Sequence, residues 1–133
     1  MNELDYATLE ASKRLLDAEI VLETEVYWYL GQSGEWKLIY VPPTITARLT
    51  PFQIMQPVIE AKEAIPAPCF AEVWRELPET DELMDLVREY AMATLEGWQV
   101  INIQRYVFNL FRDVNRMIDL LIWITEQKRK DKP

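Results

Sequence analysis

An α+β fold is predicted for this chain by three observations. Two stretches of period-two alternation flank a glycine-containing turn, helical apolar stripes lie toward both ends, and 133 residues is a common size for one domain. The expected architecture is a small antiparallel sheet with an N-terminal hairpin, packed against N- and C-terminal helices. A single domain would span residues 1–133, with 128–133 as a frayed basic tail.

Asp5 is a good cap for a first helix over Tyr6 to Leu16, in which Leu9, Ser12, Leu15 and Leu16 trace one stripe. The period then changes. Ile20, Leu22, Thr24, Val26, Trp28 and Leu30 alternate with Val21, Glu23, Glu25, Tyr27 and Tyr29, which predicts a strand with one apolar face. Tyr27 and Tyr29 fall on its mixed, exposed side. Gly31-Gln32-Ser33-Gly34 turns the chain into a second strand carrying Trp36, Leu38 and Tyr40, and Pro42-Pro43 ends it because proline offers no ladder donor.

From there to Pro68 the chain reads as a loop with one short helix. Thr50-Pro51 supplies a cap and first helical position, and Pro57 should break or kink whatever follows. Phe70, Val73, Trp74 and Leu77 fall at helical spacing between Pro68 and Pro78 and predict a short amphipathic helix. Over Asp81 to Glu96, Leu83, Leu86, Val87, Tyr90, Ala91, Thr94 and Leu95 fit a helix, while Glu96-Gly97 could turn a hairpin between Met92-Ala93-Thr94 and Trp98-Gln99-Val100. Helix first and strand after Gly97 is the favoured order. Trp98 to Phe108 is rich in β-branched and aromatic types, which predicts at least one strand. The last helix begins at Asp113 or Asn115 and runs to the basic residues, whose charge suits a helix C-terminus.

That last helix has more apolar surface than one stripe needs. Met117, Leu120, Leu121 and Ile124 form the stripe, and Ile118, Ile122 and Trp123 spread beyond it. Either the helix is sandwiched inside the domain, or its second face meets a neighbouring copy around Ile118, Ile122 and Trp123.

Composition narrows the function classes. Half the residues are apolar and 11% aromatic, which supports a packed interior. The net charge is −8, and Lys128, Arg129, Lys130 and Lys132 outweigh Asp131 by three, so the rest of the chain stands at −11. A body this acidic repels a phosphate backbone, so direct nucleic-acid binding is disfavoured. The basic tail is either a solvated helix end or a contact for an acidic partner or membrane surface. Met1 to Asp5 is acidic and not followed by a signal-type stretch, and the apolar run Met117 to Ile124 is short and interrupted by Asp119. A cytoplasmic protein that does not cross a membrane is expected, and the lone Cys69 agrees with a reducing compartment.

Chemistry is sparse. The chain has no histidine, which removes the usual neutral-pH base and the commonest transition-metal ligand. A single cysteine makes neither a redox pair nor a multi-thiolate zinc site. Gly31, Gly34 and Gly97 match neither a phosphate-cradling loop nor a dinucleotide fingerprint. Carboxylates remain: Glu72 with Glu76, Asp81 with Asp85, and Asp85 with Glu89 have the spacing to share a helix face and hold Mg²⁺ or Mn²⁺, though solvated acidic helices produce such pairs by chance. No catalytic residue, cofactor, metal site or small-molecule ligand is assigned.

The stretch Ile65-Pro66-Ala67-Pro68-Cys69-Phe70-Ala71-Glu72-Val73-Trp74-Arg75-Glu76-Leu77-Pro78, with the later Asp119-Leu120-Leu121-Ile122-Trp123, resembles a pattern in small uncharacterised proteins of bacteriophage and prophage loci. Ser12-Lys13-Arg14-Leu15-Leu16 and Tyr27-Trp28 look similar too, whereas Pro42 to Ala64 and Glu79 to Phe111 carry no such signature. The resemblance implies a phage or prophage origin and an accessory role. It implies no activity, cofactor or catalytic residue.

Physically, the motif reads in two ways. As a structural clamp, Trp74 plugs the sheet and Arg75 bridges Glu72 or Glu79. As a binding hot spot, Trp74 and Arg75 face a partner, since both residue types are enriched there. Three functions follow: a protein-binding or self-assembling accessory protein, an acidic inhibitor of a host nucleic-acid-binding protein carrying Glu72, Glu76, Glu79, Asp81, Glu82, Asp85 and Glu89, or a carboxylate-metal hydrolase.

Overall fold

The computed structural model describes residues 2–42, 49–94 and 103–130, with the side chains of Ile103 and Gln104 excepted. A 3-10 turn at Glu3–Asp5 precedes α1 (Leu9–Asp17), β1 (Val26–Leu30), β2 (Trp36–Tyr40), α2 (Pro51–Glu60) and β3 (Ala64–Pro66). Then come α3 (Phe70–Glu76), α4 (Thr80–Thr94), α5 (Ile103–Leu110) and α6 (Val114–Lys130). The sheet is antiparallel throughout in the order β2-β1-β3, so the fold is α+β. The chain gathers into two compact units, Met1–Glu72 and Val73–Pro133, and α3 begins in the first and ends in the second.

In the first unit, α1 starts at Thr8 rather than at Asp5: the Thr8 hydroxyl accepts from the Ala11 N–H at 3.2 Å. Asp5 instead closes the 3-10 turn. Both residue types cap well, so tertiary ties decide. Tyr6 bridges Cys69 and the Ala7 N–H donates to the Pro68 carbonyl, which holds residues 6 and 7 extended.

The hairpin forms as expected, pairing Val26 with Tyr40 through Leu30 with Trp36. Gly34 takes φ +82 in its turn, a conformation that suits glycine. The first strand is shorter than its alternation. Leu22 and Thr24 are buried and Val21, Glu23 and Glu25 exposed, yet this lead-in is not part of the ladder. Period two reports which side faces inward, not whether a strand lies alongside.

Tyr27 departs from the expected exposed side. It is fully buried and forms a core with Met55 and Ala64, lined by Ile39, Val41, Val58 and Ile59. The cause is α2, which covers the sheet face that alternation alone leaves to solvent; Tyr29 stays 37% exposed. A capping box starts α2, with Thr50 accepting from the Gln53 N–H and the Gln53 side chain from the Thr50 N–H. Pro57 does not end it. Its carbonyl accepts from the Ala61 N–H at 3.1 Å, so proline opens the last turn of the helix. Lys62 at φ 62 then redirects the chain into β3, a strand the sequence reading did not separate from the proline-rich approach. Pro66 is tolerated there because β3 is an edge strand.

In the second unit, α4 takes the helical reading of its segment. The strand expected over Trp98 to Phe108 is contradicted from residue 103 onward, where α5 lies. Leu110 is buried and Tyr106 and Val107 are partly buried against Leu83, Val87, Leu120 and Ile124, so a helical face outweighs β propensity. The Glu96-Gly97 turn and the segment 98–102 lie outside the described residues. Asp113 caps α6 as predicted, its carboxylate accepting from the Asn115 N–H at 2.9 Å. Residues 128–130, read as the start of a frayed tail, are the last turn of α6, and Lys128 reaches Glu82 at 3.9 Å. Among the described residues no helix is long and apolar enough to cross a membrane.

Candidate functional site

The face of α6 expected to meet a neighbouring copy is largely spent within the chain. Ile118 is fully buried, Ile122 is half-buried, and the half-buried Trp123 packs its ring edge-on to Tyr90 at 5.5 Å between centroids. An aromatic neighbour and a core that reaches Leu120 and Ile124 already occupy this side. Ile118 therefore offers nothing to a second copy.

Trp74 stands differently. It is 46% exposed, not buried as a plug would be, and its ring meets Phe111 edge-on, 5.5 Å between centroids and 80° between planes. Arg75 beside it is exposed, and no ion pair to Glu79 is found among the described residues. Glu72 is engaged elsewhere, accepting from the Thr24 hydroxyl at 2.8 Å and from the Cys69 N–H at 2.9 Å. Phe108 is 61% exposed on α5, with the Arg112 guanidinium 5.0 Å over its ring.

The second unit thus carries an exposed set of Trp74, Arg75, Phe108 and Arg112, with Phe111 half-buried against Trp74. Exposed phenylalanine and tryptophan are costly to leave in water, and aromatic rings with arginine supply stacking, cation–π contact and forked donors to a protein partner. Sequence reasoning singled out Trp74 and Arg75 and missed Phe108, Phe111 and Arg112. The readable signal was the helical spacing of Tyr106, Val107 and Leu110, which leaves Phe108 on the opposite face.

The first unit holds a buried polar cluster. The Tyr27 hydroxyl donates to the Thr24 carbonyl at 2.8 Å, and the Val26 N–H donates to the Thr24 hydroxyl at 3.3 Å. Burial, then the charges of Glu72, Glu23 and Glu25, push the Tyr27 phenol well above its usual 10.0. Burial likewise pushes the Cys69 thiol up, against the opposing effect of backbone hydrogen bonding, so it is a poor nucleophile at neutral pH. These groups fasten the first turn of α3 to the approach of β1. They present no nucleophile with a base beside it.

Two hollows bear on a small-molecule site. One, lined by Ser12, Leu15, Leu16, Ile20, Leu22, Pro66 and Pro68, is too tight to admit water. The other, about 610 Å³, is open and lined by Glu79, Thr80, Asp81 and Glu82. Among the described residues no group of three or more histidine, cysteine, aspartate or glutamate side chains is placed to hold a metal ion. No family model, curated protein or solved structure matches the chain.

Proposed function

We propose that this chain is a non-catalytic accessory protein that works by protein–protein contact or self-association, through the aromatic and arginine surface of its second unit. The observation that carries the reading is Trp74, nearly half exposed beside Arg75 and braced by Phe111. Residues of these types, held rigid on a helix, are the ones on which binding energy concentrates. A phage or prophage origin belongs to the same proposal and is supported by the Ile65 to Pro78 pattern; a cytoplasmic setting is supported by the single cysteine.

The test is capture from cells that make the protein, identification of what is bound, and titration of the purified partner or of the protein itself. W74A is expected to weaken that binding at least tenfold and R75A less, with the circular dichroism spectrum unchanged. Equal binding by the parent, W74A and F108A would overturn the surface.

A second reading keeps one observation of its own: Glu79, Asp81, Glu82, Asp85 and Glu89 are all exposed, as an acidic inhibitor of a basic nucleic-acid-binding protein would need. Capture of a basic partner, lost in high salt and indifferent to W74A, would favour it.

A further inference from the structure

We infer that the exposed stripe Arg105, Phe108 and Arg112 is a docking surface for a second copy of this chain, and that it receives the exposed face of the copy's α4. The inference rests on the reading above that the chain acts through protein contact, and it names the occupant.

The stripe is unusual in its setting. On a chain of net charge −8, α5 carries no acidic residue; its exposed side runs from Arg105 to a 61% exposed phenylalanine, and a second exposed arginine, Arg112, follows in the turn after the helix. Arg105 lies three positions before Phe108 on α5, and the Arg112 guanidinium is placed beside Phe108 by its position 5.0 Å over that ring. The exposed face of α4 has charge of the opposite sign. Asp81, Asp85 and Glu89 recur every turn along it, and two methionines, Met84 at 38% and Met92 at 66% exposure, stand among them. Arg88 lies on the same face and leaves it at a net −2.

Each surface therefore sets apolar residues among charges, and the two net charges have opposite signs. A Phe108 ring laid between methionines gains sulfur–aromatic contact, and the arginines gain carboxylates, of which α5 itself carries none. Two copies that are both acidic repel each other in most orientations. The stripe is where an acidic face can approach a copy without that penalty, so it selects the orientation as well as stabilising it.

The experiment is sedimentation equilibrium of the full chain, from micromolar to near-millimolar concentration. It is run at about 10 mM and about 1 M salt, which shortens the Debye length from about 30 to about 3 Å. The expected result is concentration-dependent association that weakens in high salt, and that R105E/R112E weakens at least tenfold. D81K/D85K should weaken it comparably, and mixing the two variants should restore association between them. All four positions are exposed, and circular dichroism confirms that each variant is folded. A chain that stays monomeric at low salt overturns the inference, as does association indifferent to R105E/R112E or variants that fail to complement. A monomer whose foreign partner is still lost in W74A would leave the protein-contact reading standing while removing the second copy.

Discussion

Ser12 and Thr24 are both buried hydroxyls, and they stand in opposite positions. The Ser12 oxygen is 1% exposed as a residue, faces an apolar wall, and is without a hydrogen-bond partner. A buried hydroxyl without a partner costs about 1–3 kcal/mol, so S12A is expected to leave stability unchanged or raise it by about 1 kcal/mol in urea unfolding. Thr24 has every reason to stay. Its hydroxyl donates to Glu72 and accepts from the Val26 N–H, and T24V is expected to lower stability by about 1–3 kcal/mol in the same measurement. A destabilised S12A with an unaffected T24V would invert this account. The sequence put Ser12 on a helical stripe and Thr24 on an apolar strand face, and the structure buries both. What it could not contain was the difference in partners, because Glu72 lies 48 residues from Thr24 along the chain.

At the scale of elements, local signals were readable where the pattern and the tertiary setting agreed. The hairpin, α4, the start of α6 and the helix between Pro68 and Pro78 all carry period and capping residues that point the same way. They were unreadable where partners decide. The first helix shifts to Thr8 because residues 6 and 7 are held by Pro68 and Cys69, and β3 exists because β1 has an edge to fill. Residues 103–108 become helix because one side of them completes a core with α4 and α6. The start of α2 at Thr50-Pro51 was readable, but its packing over the sheet was not, and that packing turns Tyr27 from an exposed aromatic into the centre of a core. That dependence is testable. T50A removes half of the capping box and is expected to cost about 1 kcal/mol of stability, with tyrosine near-ultraviolet dichroism lost at lower urea than in the parent. An unchanged midpoint would mean that α2 is held by its packing alone.

For the whole molecule, composition offers no histidine, sparse glycine and one cysteine, and the surface that stands out is aromatic and cationic on an acidic chain. The candidate site was half legible, since Trp74 and Arg75 were visible as a motif while Phe108 ended a segment misread as strand and Phe111 lay just beyond it, unassigned. The single thiol has a practical consequence. With one cysteine in 133 residues, any maleimide or disulfide reagent modifies the chain at one place, and that place is the bridge residue just before α3. The Cys69 N–H is held by the same carboxylate that receives Thr24, and burial holds back the thiolate that would react. Labelling kinetics are thus a clock for opening of that joint. The native chain should label far more slowly at neutral pH than the urea-unfolded chain, and T24V should run the clock faster, because the Glu72 carboxylate has lost one of its two anchors. Equal rates for T24V and the parent would mean that the thiol is reached without loosening the tie. If the rates separate, a dye reagent and a spectrophotometer can follow a local breathing motion at one atom of an otherwise unlabelled protein.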